Sequence, residues 1–123
     1  MRVLLVSDDS LLEKNIAGLG MLVYRVLTPR QVRIGCECFV PEAVVVDFDI
    51  GEAEALRISK RIRDIPDSKD TILFWVLPHP LAVGSCMGRA IARLRVSEFF
   101  VSAAGKAVLP DRLRALLEAR CEV

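Results

Sequence analysis

The chain has 123 residues, 53% of them hydrophobic, and its 17 Lys and Arg against 16 Asp and Glu leave a formal net charge of +1. That length accommodates one domain with a sizeable core. The balanced charge excludes a global pull toward nucleic acid or a membrane surface. It is uneven along the chain, however, because the segment from Gly84 to Arg120 carries seven bases and only three acids.

In chain order, the apolar run Val3-Leu4-Leu5-Val6 reads as a first strand that empties into Ser7-Asp8-Asp9-Ser10. Helical spacing follows at Leu12, Ile16, Leu19 and Val23, then a strand over residues 24–27 and a poorer helix over 31–39. The most informative run is Pro41-Glu42-Ala43-Val44-Val45-Val46-Asp47-Phe48-Asp49, closed by Gly51. Three consecutive Val residues bounded by Pro and Gly predict a strand covered on both faces, as in a parallel sheet. Helical spacing returns at Ile58, Ile62 and Ile65, and residues 64–70 form a loop-rich stretch. A strand over 71–77 contains Trp75, expected in the core, and residues 78–85 form a second loop-rich stretch. Met87, Ala90, Ile91 and Leu94 mark a fourth helix, residues 98–101 a fifth strand, and Leu109, Leu113, Leu116 and Leu117 a last helix. The result is one α/β domain over residues 1–123: a three-layer, five-stranded parallel sheet with five helices, joined by right-handed crossovers.

Ligands of such sheets bind at the carboxyl ends of the strands. Two predicted strands deliver acids there, one ending at Asp8 and the other at Asp47. If these strands are neighbours, about 4.8 Å apart, the two carboxylates share a cleft and favour a bound cation or a raised pKa. The same residues also suit simple capping, since Asp9 or Ser10 makes a good N-cap for a helix starting near Leu11.

Other features narrow the function. Cys36, Cys38, Cys86 and Cys121 follow no zinc or redox spacing, so reduced, mostly buried thiols are expected. The opening apolar run is too short for a signal peptide, and no stretch approaches the roughly 20 apolar residues of a membrane span. A cytoplasmic location is expected. A single His and the lack of a Gly-rich phosphate loop argue against an enzyme. His79, between Pro78 and Pro80, is read either as an exposed loop residue or as a latch pairing with Asp47 or Asp49 over the cleft.

The order and spacing of four segments resemble the receiver domains of two-component response regulators, which are CheY-like and flavodoxin-like in fold. The segments are Met-Arg-Val-Leu-Leu-Val-Ser-Asp-Asp-Ser, residues 41–47, Leu56 nine residues after Asp47, and Val96-Ser97-Glu98-Phe99-Phe100-Val101. The resemblance covers nearly the whole chain. It implies that Asp47 matches the aspartate that accepts a phosphoryl group from a histidine kinase, and that Asp8, with Asp47 and the backbone at Asp49, matches the site of a divalent cation. It also marks departures. Ser7 replaces the first acid of the pair, Leu77 or Pro78 replaces the Ser or Thr after the fourth strand, Ser102 replaces the Lys and Ala103 the following Pro, while Phe99 keeps an aromatic ring at the switch position. The loop after the fourth strand is also about three residues longer than is usual in the family.

On charge balance, a phosphorylated Asp47 adds about two negative charges beside Asp8 and Asp49. Without the lysine only a weakly held Mg2+ opposes them. The expectation is therefore an atypical receiver that requires no cofactor and acts by phosphorylation-independent protein–protein contact. A weakly phosphorylatable receiver is the alternative, and a small-ligand binder a third hypothesis. The expected partners are proteins of a signalling pathway, with a homodimer through the last two helices and last strand. Its basic face is formed by Arg89, Arg93, Arg112 and Arg114. Direct nucleic-acid binding and membrane association are not expected. The resemblance further implies that an output domain would begin just after the last helix.

Overall fold

The computed structural model describes residues 1–68, 70–79 and 85–121, apart from the side chains of residues 67, 85, 86 and 121. Five parallel strands form one sheet in the order β2-β1-β3-β4-β5: β1 Arg2–Val6, β2 Leu22–Val26, β3 Ala43–Asp47, β4 Ile72–Leu77 and β5 Glu98–Val101. They alternate with five helices: α1 Ser10–Ala17, α2 Pro29–Ile34, α3 Glu52–Asp64, α4 Ser85–Arg93 and α5 Ser102–Cys121. The α/β architecture read from the sequence is therefore the observed one.

Every residue of β3 and β4 is buried, as their continuous apolar runs require of strands covered on both faces. Strand alternation divides the core in two. Leu4, Val6, Val44, Val46, Leu73 and Trp75 pack on one face against Val32 of α2, Ile58 and Ile62 of α3 and Met87 of α4. Val3, Leu5, Val45 and Phe74 pack on the other against Leu12 and Ile16 of α1 and Leu109, Leu113 and Leu117 of α5. Trp75 is a core residue, as expected; its Nε1–H donates to Ser59 Oγ at 2.9 Å, and Ser59 in turn donates to the Ala55 carbonyl at 2.8 Å.

The first helix is shorter than its apolar spacing suggests. It stops at Ala17, and Gly20, at φ +89°, turns the chain into β2, so that Val23 belongs to the strand. The poorer helix at 31–39 resolves into α2, with Thr28 and Gln31 forming a capping box, and a π turn over Gly35–Phe39. Of the cysteine side chains described, Cys36 is buried and Cys38 exposed, so the thiols are not uniformly interior. The side chains of Cys86 and Cys121, and most of the loop over 78–85, are not among those described.

At the opposite end from the strand carboxyl termini, Arg63 of α3 ties the sheet's lower loops together. Its guanidinium donates to the carbonyls of Leu94 and Thr71, both at 2.7 Å, and of Arg95 at 2.9 Å. Among the described residues no helix is long and apolar enough to cross a membrane.

Candidate functional site at the carboxyl ends of the central strands

β1 and β3 are neighbours, with Val6 in register with Val46. Their following helices leave on opposite faces, so the sheet has its switch point between them, where doubly wound sheets open a crevice. Asp47 ends β3 there and is only 1% exposed. Both of its oxygens are engaged. Oδ1 accepts the Asp49 N–H at 3.0 Å; Oδ2 accepts the buried Ser7 hydroxyl at 2.8 Å and lies 3.1 Å from Lys106 Nζ.

Lys106 is the residue that the sequence reading missed. Its ammonium is also 3.0 Å from Asp9 Oδ2 and 3.3 Å from Asp49 Oδ2, so three carboxylates surround one cation. Position 102, where the resemblance places the lysine, is Ser, and the lysine stands four residues later. The structure starts α5 at Ser102 itself, with no intervening loop, and Ser102 takes a left-handed φ of +62° to make the turn. Residues 102 and 106 then lie one helical turn apart on the same face. Helical side chains lean toward the helix N-terminus, which brings Lys106 back over the strand ends. The close packing depends on Gly105, where an added Cβ would stand 2.9 Å from Phe100 Cβ and 3.0 Å from its carbonyl carbon. The signal was present in Ser102-Ala103-Ala104-Gly105-Lys106, a run of small residues leading to a lysine at helical spacing.

The acid opposite Lys106 is also different from the one expected. Asp8 is exposed and, among the described residues, makes no ion pair. Asp9 takes both roles available to the pair. One of its oxygens caps α1, accepting the N–H groups of Leu11 at 3.0 Å and Leu12 at 3.1 Å, and the other meets Lys106. Accordingly, the Leu12 N–H and then the Lys106 ammonium hold the Asp9 carboxyl below the usual carboxylate range. For Lys106, burial by itself would lower the pKa, but hydrogen bonds to Asp9, Asp47 and Asp49 outweigh it and push the ammonium upward.

Of the expected cation set Asp8, Asp47 and Asp49, the last two meet Lys106 and Asp8 is exposed. Among the described residues, no group of three or more His, Cys, Asp or Glu side chains is placed to hold a metal ion. The carboxylates that do converge meet on an ammonium instead.

The remaining candidates lie as follows. Leu77 is fully buried in the core and Pro78 is exposed, so neither presents a hydroxyl to the crevice. Phe99 is 43% exposed on the edge strand β5. His79 is exposed and pairs with neither Asp47 nor Asp49; the cation that closes on those carboxylates is Lys106, not a histidine latch. On the basic side, Arg89 and Arg93 are exposed on α4, while Arg112 pairs with Glu98 and Arg114 with Glu118. Two of the four arginines on that face thus have exposed acidic partners.

The sequence matches no family model and no curated protein. The fold does find counterparts among solved structures. The chemotaxis response regulator CheY4 of Vibrio cholerae superposes with a TM-score of 0.76 at 13% identity, covering 93% of this chain and 96% of that one. This is the receiver fold. The signal receiver domain of a histidine kinase from Syntrophus aciditrophicus gives a TM-score of 0.76 at 14% identity over 96% and 90% of the two chains. The receiver domain of the sensor histidine kinase PA1611 from Pseudomonas aeruginosa PAO1, which has magnesium coordinated in its active-site cleft, gives 0.74 at 16% identity over 93% and 94%.

Proposed function

We propose that this chain is a receiver-like domain of a two-component-type pathway that works by protein–protein contact without phosphorylation, and not as an enzyme. The observation that carries this reading is the Lys106 ammonium held among Asp9, Asp47 and Asp49 at 3.0–3.3 Å. A receiver such as that of PA1611 has magnesium coordinated in this cleft; here a tethered cation neutralises the carboxylates, and Mg2+ is not required. Both Asp47 oxygens already have partners, Oδ1 the Asp49 N–H and Oδ2 the Ser7 hydroxyl and Lys106, which supports a structural role for this carboxylate. The site also lacks a hydroxyl at Leu77 to read a phosphate. Arg89 and Arg93, exposed on α4 and one turn apart, belong to the protein-binding surface.

One observation favours phosphorylation of Asp47 as the second reading. Lys106 supplies the positive charge beside Asp47 that phosphoryl transfer needs, which removes the objection that no lysine stands at position 102. An amide NMR titration with Mg2+ followed by beryllofluoride, a mimic of the aspartyl phosphate, separates the two. The proposal expects no response from the native chain at either step. Shifts centred on Asp47 and Lys106 that spread to Phe99 would refute it in favour of a working phospho-receiver.

A further inference from the structure

A groove of about 430 Å³ runs between α2 and α3, on the face of the sheet opposite α1 and α5. Its floor is apolar, with the half-buried Pro29 and Ile65 reachable and the core residues Val32 and Ile58 beneath them. Its rim carries Arg33 from α2 and Arg57, Lys60 and Arg61 from α3, against the single acid Asp64. Two of these cations have acidic neighbours, Arg33 with Glu37 at 3.2 Å and Arg57 with Glu54 at 2.8 Å. Both pairs are solvent-exposed, and exposed pairs of this kind contribute at most about 1 kcal/mol. They yield readily to a better acidic partner. Lys60 and Arg61 are exposed and, among the described residues, make no ion pair.

We infer that this groove docks an acidic amphipathic helix of a protein partner, independently of the carboxylate cluster. Charge complementarity argues for the acidic partner, because Lys60 and Arg61 make no ion pair among the described residues and Asp64 is the one acid lining the groove, Glu37 and Glu54 lying beside Arg33 and Arg57. The floor argues for a peptide with apolar anchors rather than a free small anion. Small anions are commonly cradled by converging backbone N–H groups, whereas the rim here is built from long, flexible side chains with the half-buried Pro29 and Ile65 between them. Arg57 to Asp64 spans about two turns of α3, roughly 10 Å. Two turns of an amphipathic helix, with anchors at helical spacing, match that length.

The test is an NMR titration of the labelled chain with a synthetic 14-residue helix bearing Leu on one face and Glu on the other. A peptide with Lys in place of Glu, and inorganic pyrophosphate, serve as separate arms. Docking predicts shifts at Val32, Ile58 and Ile65 with the acidic peptide alone. It also predicts at least a tenfold loss of affinity in Lys60→Glu/Arg61→Glu, an exposed double substitution that leaves the fold intact. Equal binding of the Lys peptide, shifts centred elsewhere, or no shifts would overturn the inference. If pyrophosphate by itself reproduces the shifts, the groove is a small-anion site and the inference is equally overturned.

Discussion

Replacing Lys106 with Met keeps the side chain's length and removes its charge, which isolates what the ammonium does. At 3.1 Å from Asp47 and an effective dielectric of about 20, the gross attraction is roughly 5 kcal/mol. Desolvation offsets part of it, although Lys106 retains 20% exposure of its side chain and is not fully dehydrated. Asp9 and Asp49 are more exposed, with side chains 28% and 51% accessible, and each adds no more than about 1 kcal/mol. Removing one partner of a buried pair costs about 3–5 kcal/mol. Residual solvent and the surviving hydrogen bonds from Ser7 and the Asp49 N–H reduce this to about 2–3 kcal/mol. For a domain of this size that is roughly 10 °C in Tm. The sign with pH follows from the two shifted groups. The lowered Asp9 pKa contributes stability that is present above about pH 4, its unfolded value, and lost as pH falls through the folded value. The raised Lys106 pKa contributes stability that is fully present below about pH 10 and lost as pH rises through the folded value. Urea denaturation of both proteins in EDTA, from pH 3 to pH 9, should therefore show a deficit that is level from about pH 5 to pH 9 and shrinks in acid. A variant within about 0.5 kcal/mol of the native chain at pH 7 would refute the claim that Lys106 neutralises the cluster.

The same substitution should expose a latent preference for divalent cations: adding Mg2+ should raise the Tm of Lys106→Met by several degrees while leaving the native chain unchanged, as read by thermal denaturation. Gly105→Ala should cost about 1–3 kcal/mol, because its Cβ would stand within 3.0 Å of Phe100 and force α5 outward; chemical shifts should also report a loosened Lys106. Ser102→Gly should instead stabilise the fold by about 0.5–1 kcal/mol in urea, since glycine takes the positive φ at little steric cost. Arg63→Met leaves the carbonyls of Leu94, Thr71 and Arg95 without their shared donor, and a loss of about 2–4 kcal/mol is expected. Unchanged hydrogen-exchange protection around Thr71 in that variant would show that water replaces the guanidinium without loss.

Much of the architecture was legible from local pattern. The buried runs of β3 and β4, the stripe of Leu109, Leu113 and Leu117, and Asp47 at a strand end all follow from the periodicity of side-chain placement. Hydrophobic burial acts on every residue of an element, so its signal is repeated along the chain. The composition of the cleft was not legible in this way. Whether Asp8 or Asp9 faces inward depended on where α1 takes its cap, a difference of one residue that turns the side chain to another side. Whether the cleft has a lysine depended on α5 starting without a loop, on Ser102 adopting a left-handed turn and on Gly105 lying against Phe100. The sequence by itself determined that acids follow two strands of a parallel sheet; that these strands are neighbours is set by the sheet order. Only the tertiary structure decided which cation meets the acids, because Asp9 and Lys106 are 97 residues apart in the chain and are brought together solely by the packing of α1 and α5 on one face of the sheet.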